Sequence, residues 1–235
     1  MSGRTWILAS LLIGSGFVTS AAQAETIAII GTGNVGAALG QRFAEAGHTV
    51  IYGSRDPERA SVRRLVAASG DRASATDQTA AAQAARVVVL AVPFEIVESL
   101  TRELGDLSGR IVIDPTNPRS IADDGLRDYA FADSNAERIQ AVAPDAFVVK
   151  AFSTLGAETM LDPARANGPV SIPIVGDDAE AKRVVAGLVS DIGLVPVDVG
   201  PLRYAHVIEG LHYLRTNAGV FGDARINFYF PPDPP

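Results

Sequence analysis

Cysteine is absent from the 235 residues of this chain, and only three histidines are present. The lack of cysteine excludes disulfides, thiol nucleophiles, Cys-ligated zinc or iron–sulfur centres and c-type haem attachment. The histidines show no spacing typical of metal ligands, so no metal site is predicted. The chemistry of this protein must therefore rest on other residue types or on a bound small molecule.

Positive charge is also in deficit, since the formal net charge is −7 and the pI is near 5.0. This balance argues against nucleic acid or an anionic membrane surface as a partner. A site for a phosphorylated ligand would have to lie in a local region of positive charge. The length and the 47% hydrophobic content predict one domain, or a domain with a small extension, around an ample core.

The first 24 residues have the pattern of a secretory signal peptide. Arg4 gives a positive start, Trp6 to Val18 is apolar, and Ala22-Gln23-Ala24 forms an A-x-A cleavage site. The pattern predicts a periplasmic or secreted protein that begins at Glu25 and has no stable membrane span after cleavage. Two alternatives stay open: an uncleaved membrane anchor, or an N-terminal helix packed on the domain. The protein is cytoplasmic if the leader is not functional.

A phosphate-binding turn is predicted directly after the leader. Thr26 to Ile30 is a short apolar run typical of a buried parallel strand, and Gly31, Gly33 and Gly36 follow in G-x-G-x-x-G register. The first glycine permits a tight turn, the second lets the backbone approach a pyrophosphate, and the third lets the helix pack on the strand. The helix that follows has apolar residues at helical spacing, namely Val35, Leu39, Phe43 and Ala46. Gly47 is its predicted C-cap, and the second strand runs from His48 to Tyr52.

The end of the second strand predicts which nucleotide binds. NAD-binding units usually place an acidic residue there for the ribose 2'-hydroxyl, whereas this chain has Ser54 and Arg55, with Arg59 one turn later. These side chains can bond a 2'-phosphate, so the predicted cofactor is NADP. The alternatives are that both arginines are ordinary surface residues, or that Asp56 is an NAD-selecting acid. We interpret Asp56 as an N-cap, because Pro57 follows at the favoured first helical position.

Strands and helices alternate through the rest of the chain. This pattern predicts an α/β protein with a Rossmann-type, doubly wound parallel sheet and a small C-terminal strand–helix extension. The predicted domains are a leader at 1–24, an NADP-binding domain at 25–200, and a C-terminal helix and tail at 201–235. Further strands are predicted at Arg86 to Val92, Arg110 to Asp114, Phe147 to Ala151, Val170 to Val175 and Leu194 to Val199.

Helices are predicted between these strands. They are Pro57 to Ser69, a short helix or turn at Thr76 to Ala85, Phe94 to Leu104, a helix opened by the capping box Ser134 to Glu137, Asp178 to Ile192, and Pro201 to Asn217. In the last of these, the apolar residues Val207, Ile208, Leu211 and Leu214 are expected to face inward.

The expected proton donors of carbonyl and imine reductases are missing. No tyrosine is followed four positions later by lysine, which excludes the short-chain dehydrogenase pattern. Gly210 to Asn217 has Leu214 where the G-x-x-x-K-x-x-N motif of 3-hydroxyacid dehydrogenases has lysine. His206 and His212 remain as candidate catalytic acids, with packing or solvated roles as the alternative. A site without an evident acid or base favours hydride transfer between two cofactors, where the protein mainly positions two rings.

Several motifs in combination resemble the F420-dependent NADP reductase family over about residues 26 to 225. They are the glycine turn, the GSR ending of the second strand, AVPFE at Ala91 to Glu95, VVKAFSTLG at Val148 to Gly156, PIVGDD at Pro173 to Asp178, and PVDVGPLRYAHVIEGL at Pro196 to Leu211. The pattern is also similar to the NADPH domain of STEAP-type metalloreductases. The resemblance implies hydride transfer between NADP and a second, small-molecule cofactor or substrate, either F420 or a flavin (FAD or FMN).

The resemblance also implies site residues. The NADP contacts fall on Thr32, Gly33, Asn34, Val35, Ser54, Arg55, Arg59, Val92, Pro93, Ala151 and Phe152. For the second cofactor we expect Ser153, Thr154, Leu155, Gly156 and the terminal helix near Leu211, with purely loop and core roles as the alternative. A homodimer is expected, because such folds often complete their sites across subunits. Two other functions stay open: an NADPH-dependent reductase of a small organic substrate, and a non-catalytic NADP-binding sensor.

Overall fold

Strands of aliphatic and β-branched residues form the centre of the molecule. The computed structural model describes residues 24–128, 132–222 and 226–231, and within these ranges eight strands join one sheet in the order β3-β2-β1-β4-β5-β6-β7-β8. The strands are β1 (Thr26–Ile30), β2 (Thr49–Gly53), β3 (Ala73–Thr76), β4 (Val87–Leu90), β5 (Ile111–Asp114), β6 (Phe147–Lys150), β7 (Ser171–Gly176) and β8 (Val195–Gly200).

Helices cover both faces of this sheet. They are α1 (Asn34–Glu45), α2 (Ala60–Ser69), α3 (Gln78–Ala84), α4 (Val97–Glu103), α5 (Asn135–Val142), α6 (Ala157–Leu161), α7 (Ala179–Asp191) and α8 (Ala205–Phe221). Short 3-10 turns precede α4 at Phe94–Ile96, follow α6 at Pro163–Ala166 and precede α8 at Leu202–Tyr204. The capping box at Ser134 and Glu137 is confirmed, with each side chain bonded to the other residue's backbone N–H.

The apolar core lies in two layers because successive strand residues point to opposite faces. In β1, Ile27 and Ile29 pack in the layer that includes α1, whereas Ala28 and Ile30 pack in the layer that includes α4 and α5. All four residues are fully buried. Burial on both faces explains why the central strands read in the sequence as continuous apolar runs.

The strand order creates a crevice at one edge of the sheet. The chain runs from β1 outward to β2 and β3, then crosses to β4 on the other side of β1. In open α/β sheets this switch point is where ligands bind, at the carboxyl ends of the strands. The predicted Rossmann-type fold is therefore confirmed. One pairing departs from the predicted parallel sheet, since β7 runs antiparallel to β6. The sequence could not predict this, because an apolar run does not encode the direction of its strand.

Strand β3 was not predicted. It pairs with β2 alone, at an edge of the sheet, and its sequence is Ala-Ser-Ala-Thr. These small residues show no alternation of large apolar and polar side chains, so the usual signal for a strand is missing. The helix expected in this region is present as α3, capped by Asp77, whose side chain accepts the N–H of Ala80.

Helix α8 has a different inward face from the one predicted. Ile208 is buried as expected, but Val207 and Leu214 are 52% and 60% exposed. Glu209 is fully buried instead, because its carboxylate forms an ion pair with Lys150. This pairing, which apolar periodicity cannot reveal, sets the rotation of the helix.

The predicted leader lies almost entirely outside the described residues, which begin at Ala24. Within the described ranges, no helix has both the length and the apolar character needed to cross a membrane. The predicted boundary between residues 200 and 201 stays a prediction. Strands β7 and β8 belong to the same sheet as β1.

Candidate functional site

The glycine turn connects β1 to α1 at the crevice. Gly31 has a φ of +106°, and a Cβ there would overlap the carbonyl oxygen of Ala91. A Cβ at Gly36 would overlap the carbonyl oxygen of Gly31, so this position lets α1 approach the turn. A Cβ at Gly33 would meet no atom within 4 Å, and Gly33 lines the cleft. The turn thus leaves open space at the N-terminus of α1, where free N–H groups and the helix dipole favour a phosphate.

The residues predicted for the 2'-phosphate lie together in one cavity. This cavity has a volume of about 780 Å³ and is lined by Thr32, Ser54, Arg55, Arg59 and the glycine turn. Arg59 Nη2 donates to Thr32 Oγ1 at 3.3 Å, which joins the arginine to the turn. Ser54 is buried, whereas both arginines are exposed. The donor set fits a phosphate group, and its assignment to the 2'-phosphate of NADP stays a prediction.

Asp56 does not cap a helix as we predicted. Helix α2 begins at Ala60, after the N-cap Arg59, and Asp56 lies in a preceding turn. Ser54 Oγ accepts the N–H of Asp56 at 3.2 Å and donates to its carbonyl oxygen at 3.1 Å. These bonds delay the helix by three residues and leave Asp56 in the lining of the same cavity as the arginines.

A second cavity, of about 590 Å³, continues the cleft along the carboxyl edge of the sheet. It shares Gly33, Ala91, Val92 and Pro93 with the first cavity. Asn34 and Val35, which we predicted at the glycine turn, also line it. Of the residues predicted for the nicotinamide side, Val92, Pro93 and Phe152 line it, whereas Ala151 is fully buried beneath the surface. Two ligands that occupied the two cavities would therefore meet at Val92 and Pro93.

Phe152 has an unusual backbone conformation at this junction. Its φ is +63°, which is uncommon for a bulky residue and costs about 1 kcal/mol or more. The ring is buried and packs edge-on against Phe43 of α1, with ring centroids 6.1 Å apart. Strained residues of this kind cluster at ligand sites, and Phe152 lines the cleft where the predicted nicotinamide would lie.

The residues predicted for a second cofactor are only partly in the cleft. Leu155 and Gly156 line the second cavity, whereas Ser153 and Thr154 are buried and do not appear in its lining. Leu211 lies in an apolar groove formed with Tyr204 and Phe230, away from the cleft. From helix α8, the residues that reach the cleft are His212, Arg215 and Thr216.

The two candidate histidines lie in different environments. His206 is exposed, outside the lining of the cleft, and its Nδ1 lies 2.7 Å from the carbonyl oxygen of Arg203. His212 lines the second cavity. Burial, together with the positive charges of Arg215 and Arg127, lowers the pKa of His212 to about 4. The His212 side chain is therefore neutral at pH 7 and is a poor proton donor there.

A buried ion-pair network lies beneath the cleft, and we did not predict it. Lys150 Nζ lies 2.8 Å from Asp114 Oδ2 and 2.6 Å from Glu209 Oε1, and all three side chains are fully buried. Burial alone would lower the pKa of Lys150, but the two carboxylates outweigh it and raise that pKa. Burial raises the pKa of Glu209, which Lys150 opposes. The sign of this network in the sequence is that Asp114 and Lys150 each end a strand, and these two strands are neighbours in the sheet.

This network holds the loop that forms one wall of the second cavity. Lys150 donates to the carbonyl oxygen of Thr116 at 2.5 Å, and Asp114 Oδ1 accepts both the N–H and the hydroxyl of Thr116. Asn135 donates its side-chain amide to Thr116 Oγ1 and its backbone N–H to Glu209. Thr116 and Asn117 line the cavity, so the buried charges fix the wall rather than contact a ligand.

Comparison with known proteins agrees with this geometry. The family model described as "NADP oxidoreductase coenzyme F420-dependent" matches residues 26–118, which hold the glycine turn and the first cavity. The F420-dependent NADP reductase of Methanothermobacter thermautotrophicus is 33% identical over 210 residues, or 83% of this chain and 89% of the relative. The crystal structure of a protein assigned as an F420-dependent NADP reductase from Arthrobacter sp. FB24 has a TM-score of 0.78 and 31% identity, covering 89% of this chain and 100% of that one.

The chain also matches part of a longer relative. Metalloreductase STEAP3 of Rattus norvegicus is 30% identical over 189 residues, which is 80% of this chain but 36% of the metalloreductase. This chain thus spans about a third of the length of that protein. The resemblance predicted from the motifs is confirmed by both groups of relatives. Since the match to the Methanothermobacter reductase extends over nearly its whole length, the chain belongs to the F420-dependent NADP reductase family, a family of NADP oxidoreductases.

Proposed function

We propose that this enzyme transfers hydride between NADP(H) and the ring of a deazaflavin or flavin, with F420 as the first candidate. The observation that carries the proposal is the pair of cavities that share a wall at Gly33 and Ala91 to Pro93. Two planar rings that lie against this wall would be held close together. Positioning of this kind is the main protein contribution to hydride transfer between cofactors.

The first cavity and its junction with the second supply the nucleotide contacts in this proposal. The N-terminus of α1 at Gly33 and Asn34 binds the pyrophosphate. Ser54, Arg55 and Arg59 bind the 2'-phosphate. Bound NADPH would supply a hydride from its nicotinamide ring, and Val92 and Phe152 would line the space for that ring at the junction of the cavities.

The second cavity supplies the acceptor contacts. Its lining includes the apolar Leu155 and Met160 beside the polar Thr116 and Asn117. Among its described lining residues there is no tyrosine, lysine or cysteine, and His212 is neutral at pH 7. Reduction of a deazaflavin or flavin consumes one hydride and one proton, and the proton reaches a ring nitrogen from water. A strong side-chain acid is not needed for that reaction, whereas reduction of a carbonyl or imine usually requires one.

The test is an anaerobic NADPH oxidation assay with F420, FMN, FAD and ferric chelates as separate acceptors. Rapid oxidation with F420 or a flavin supports the proposal. NADPH binding without hydride transfer to any acceptor would favour a non-catalytic sensor. Reduction of a carbonyl library that His212→Gln abolishes would favour a reductase of small organic substrates.

The leader supports a separate proposal about location. We propose export to the periplasm or beyond, with cleavage after Ala24. Glu25, which would become the first residue, is held in place because its N–H donates to His48 Nδ1 and its carboxylate pairs with Arg86. N-terminal sequencing and fractionation of the native protein test this location, and a cytoplasmic protein that retains Met1 would contradict it.

A further inference from the structure

Three arginines converge on the second cavity from two parts of the chain. Arg119 and Arg127 come from the loop between β5 and α5, and Arg215 comes from α8. Glu158 is the one carboxylate among the described lining residues of this cavity. Three guanidinium groups and one carboxylate thus line this cavity, in a chain whose net charge is −7.

The loop that carries two of these arginines is held in place. Arg127 donates its backbone N–H to Asn217 Oδ1 at 2.8 Å, and Asn217 Nδ2 donates back to the carbonyl oxygen of Arg127 at 3.0 Å. The Arg127 guanidinium also donates to the carbonyl oxygen of Arg119 at 3.2 Å. The side-chain amide of Asn217 on α8 therefore fixes the loop beside Arg215.

Within the described residues, Arg119 and Arg127 lack the carboxylate partner that some arginines of this protein have. Arg86, Arg102 and Arg183 each have a carboxylate within 4 Å. In the part of the chain that the structure describes, neither Arg119 nor Arg127 forms such an ion pair. After burial, the charges of Arg215, Arg127, Lys150 and Arg119 are the causes that lower the pKa of His212. The positive field therefore reaches into the cavity.

We propose that Arg119, Arg127 and Arg215 form an anion subsite for the side chain of the hydride acceptor. The enzyme would then bind a ring compound that carries a phosphate or carboxylate more tightly than the same ring without that group. This inference rests on the proposed function, since it assigns a ligand to the acceptor half of the cleft. The phosphates of NADP are not the expected occupant, because the three arginines line only the second cavity whereas Arg55 and Arg59 line the first.

Binding without turnover tests the subsite. The NADP⁺-loaded protein is titrated, by ligand fluorescence, with two pairs of ligands that share a ring. One pair is FMN and riboflavin, and the other is F420 and its phosphate-free fragment. We expect the phosphorylated member of each pair to bind at least 10-fold more tightly, with a difference that shrinks as salt is added.

Charge-removing variants then locate the subsite. Arg119→Gln and Arg127→Gln are each expected to weaken binding of the phosphorylated ligands about 5- to 50-fold and to leave riboflavin unchanged. Arg127→Lys keeps the charge and should restore part of the loss. Arg72→Gln removes an exposed arginine just before β3 and should change nothing. Arg119 accepts the Arg127 bond through its backbone, so its side-chain variant leaves the loop contact intact.

The outcomes separate this inference from the proposed function. Equal binding within each pair, or an equal loss of NADPH affinity in the arginine variants, would overturn the anion subsite while leaving hydride transfer possible. Failure of all four ring compounds to bind would overturn the proposed function and the subsite together. Loss of the phosphate preference in the two glutamine variants alone supports the assignment.

Discussion

Lys150 on β6 and Glu209 on α8 form an ion pair of 2.6 Å across 59 residues of sequence, and neither side chain is exposed to solvent. Asp114 gives Lys150 a second carboxylate at 2.8 Å. A lysine between two buried carboxylates ties the carboxyl edge of the sheet to the terminal helix. The position of the cleft wall at Thr116 follows from this arrangement, since the same ammonium group binds its carbonyl oxygen.

Lys150→Met should destabilise the fold strongly. It would leave two buried carboxylates without their counter-ion, which typically costs about 3–5 kcal/mol. Urea unfolding at pH 7 measures the change in the free energy of unfolding. Lys182→Met is the matched control, because its pair with Asp198 is partly exposed and should contribute less than about 1 kcal/mol. A loss of similar size in the two variants would contradict the importance of the buried network.

His212 should make the fold less stable in mild acid. Its pKa falls from 6.5 in the unfolded chain to about 4 in the folded protein, so the unfolded state binds more protons between these values. The contribution of His212 to stability is complete above about pH 6.5 and is lost as the pH falls toward 4. Between pH 7 and pH 5 the loss should be about 2 kcal/mol.

Comparison of variants isolates this effect from the titration of carboxylates. His212→Gln should lose about 2 kcal/mol less than the wild type between pH 7 and pH 5 in urea unfolding. His206→Gln, at an exposed position on the same helix, should follow the wild type. A steeper loss in His212→Gln than in the wild type would show that the ring is not neutral in the folded protein.

Arg55→Gln and Arg59→Gln should weaken NADPH binding more than NADH binding. Each removes a charged donor from the cavity that holds Ser54 and Thr32. A charge-assisted hydrogen bond contributes about 1.5–3 kcal/mol, which corresponds to a loss of roughly 10- to 100-fold for NADPH. Arg63→Gln, one turn further along α2 and paired with Glu58, is the control. Equal losses for both nucleotides in a titration would overturn the 2'-phosphate assignment.

Gly33→Ala should weaken NADPH binding with little effect on stability, whereas Gly36→Ala should destabilise the fold. The methyl group at Gly33 would occupy open space by the cleft, and the backbone there is extended with φ −77°. We therefore expect a change in stability below about 1 kcal/mol and a clear loss of NADPH affinity. The methyl group at Gly36 would overlap the Gly31 carbonyl, so that variant should unfold at lower urea. Identical behaviour of the two variants would contradict these separate roles.

The segment from β1 to β2 could be predicted from the sequence because its signals are local. A buried apolar run, three spaced glycines and an amphipathic helix all lie within Thr26 to Gly53. The arginines that follow line the same cavity because they lie just after the end of the neighbouring strand. Short connections and fixed strand geometry leave few other arrangements.

The second half of the cleft could not be predicted in the same way. Its lining combines Thr116 and Asn117 after β5, Phe152 after β6, and His212 on α8. Which face of α8 turns inward depends on the pairing of Glu209 with Lys150, a contact between distant residues that competes with apolar periodicity. The terminal helix near Leu211 was expected at the second cofactor, but Leu211 itself lies outside the cleft, whereas the candidate acid His212 lines it.

The wall at Gly33 and Ala91 to Pro93 belongs to both cavities. This sharing predicts how the reaction rate depends on the two ligands. A nucleotide in the first cavity completes the surface against which the acceptor rests, so the affinity of each ligand should depend on whether the other is present. In the proposed reaction electrons cross only while both ligands are bound, since the described residues that line the cleft include no group that could store a hydride. Double-reciprocal plots at several acceptor concentrations should accordingly intersect rather than run parallel.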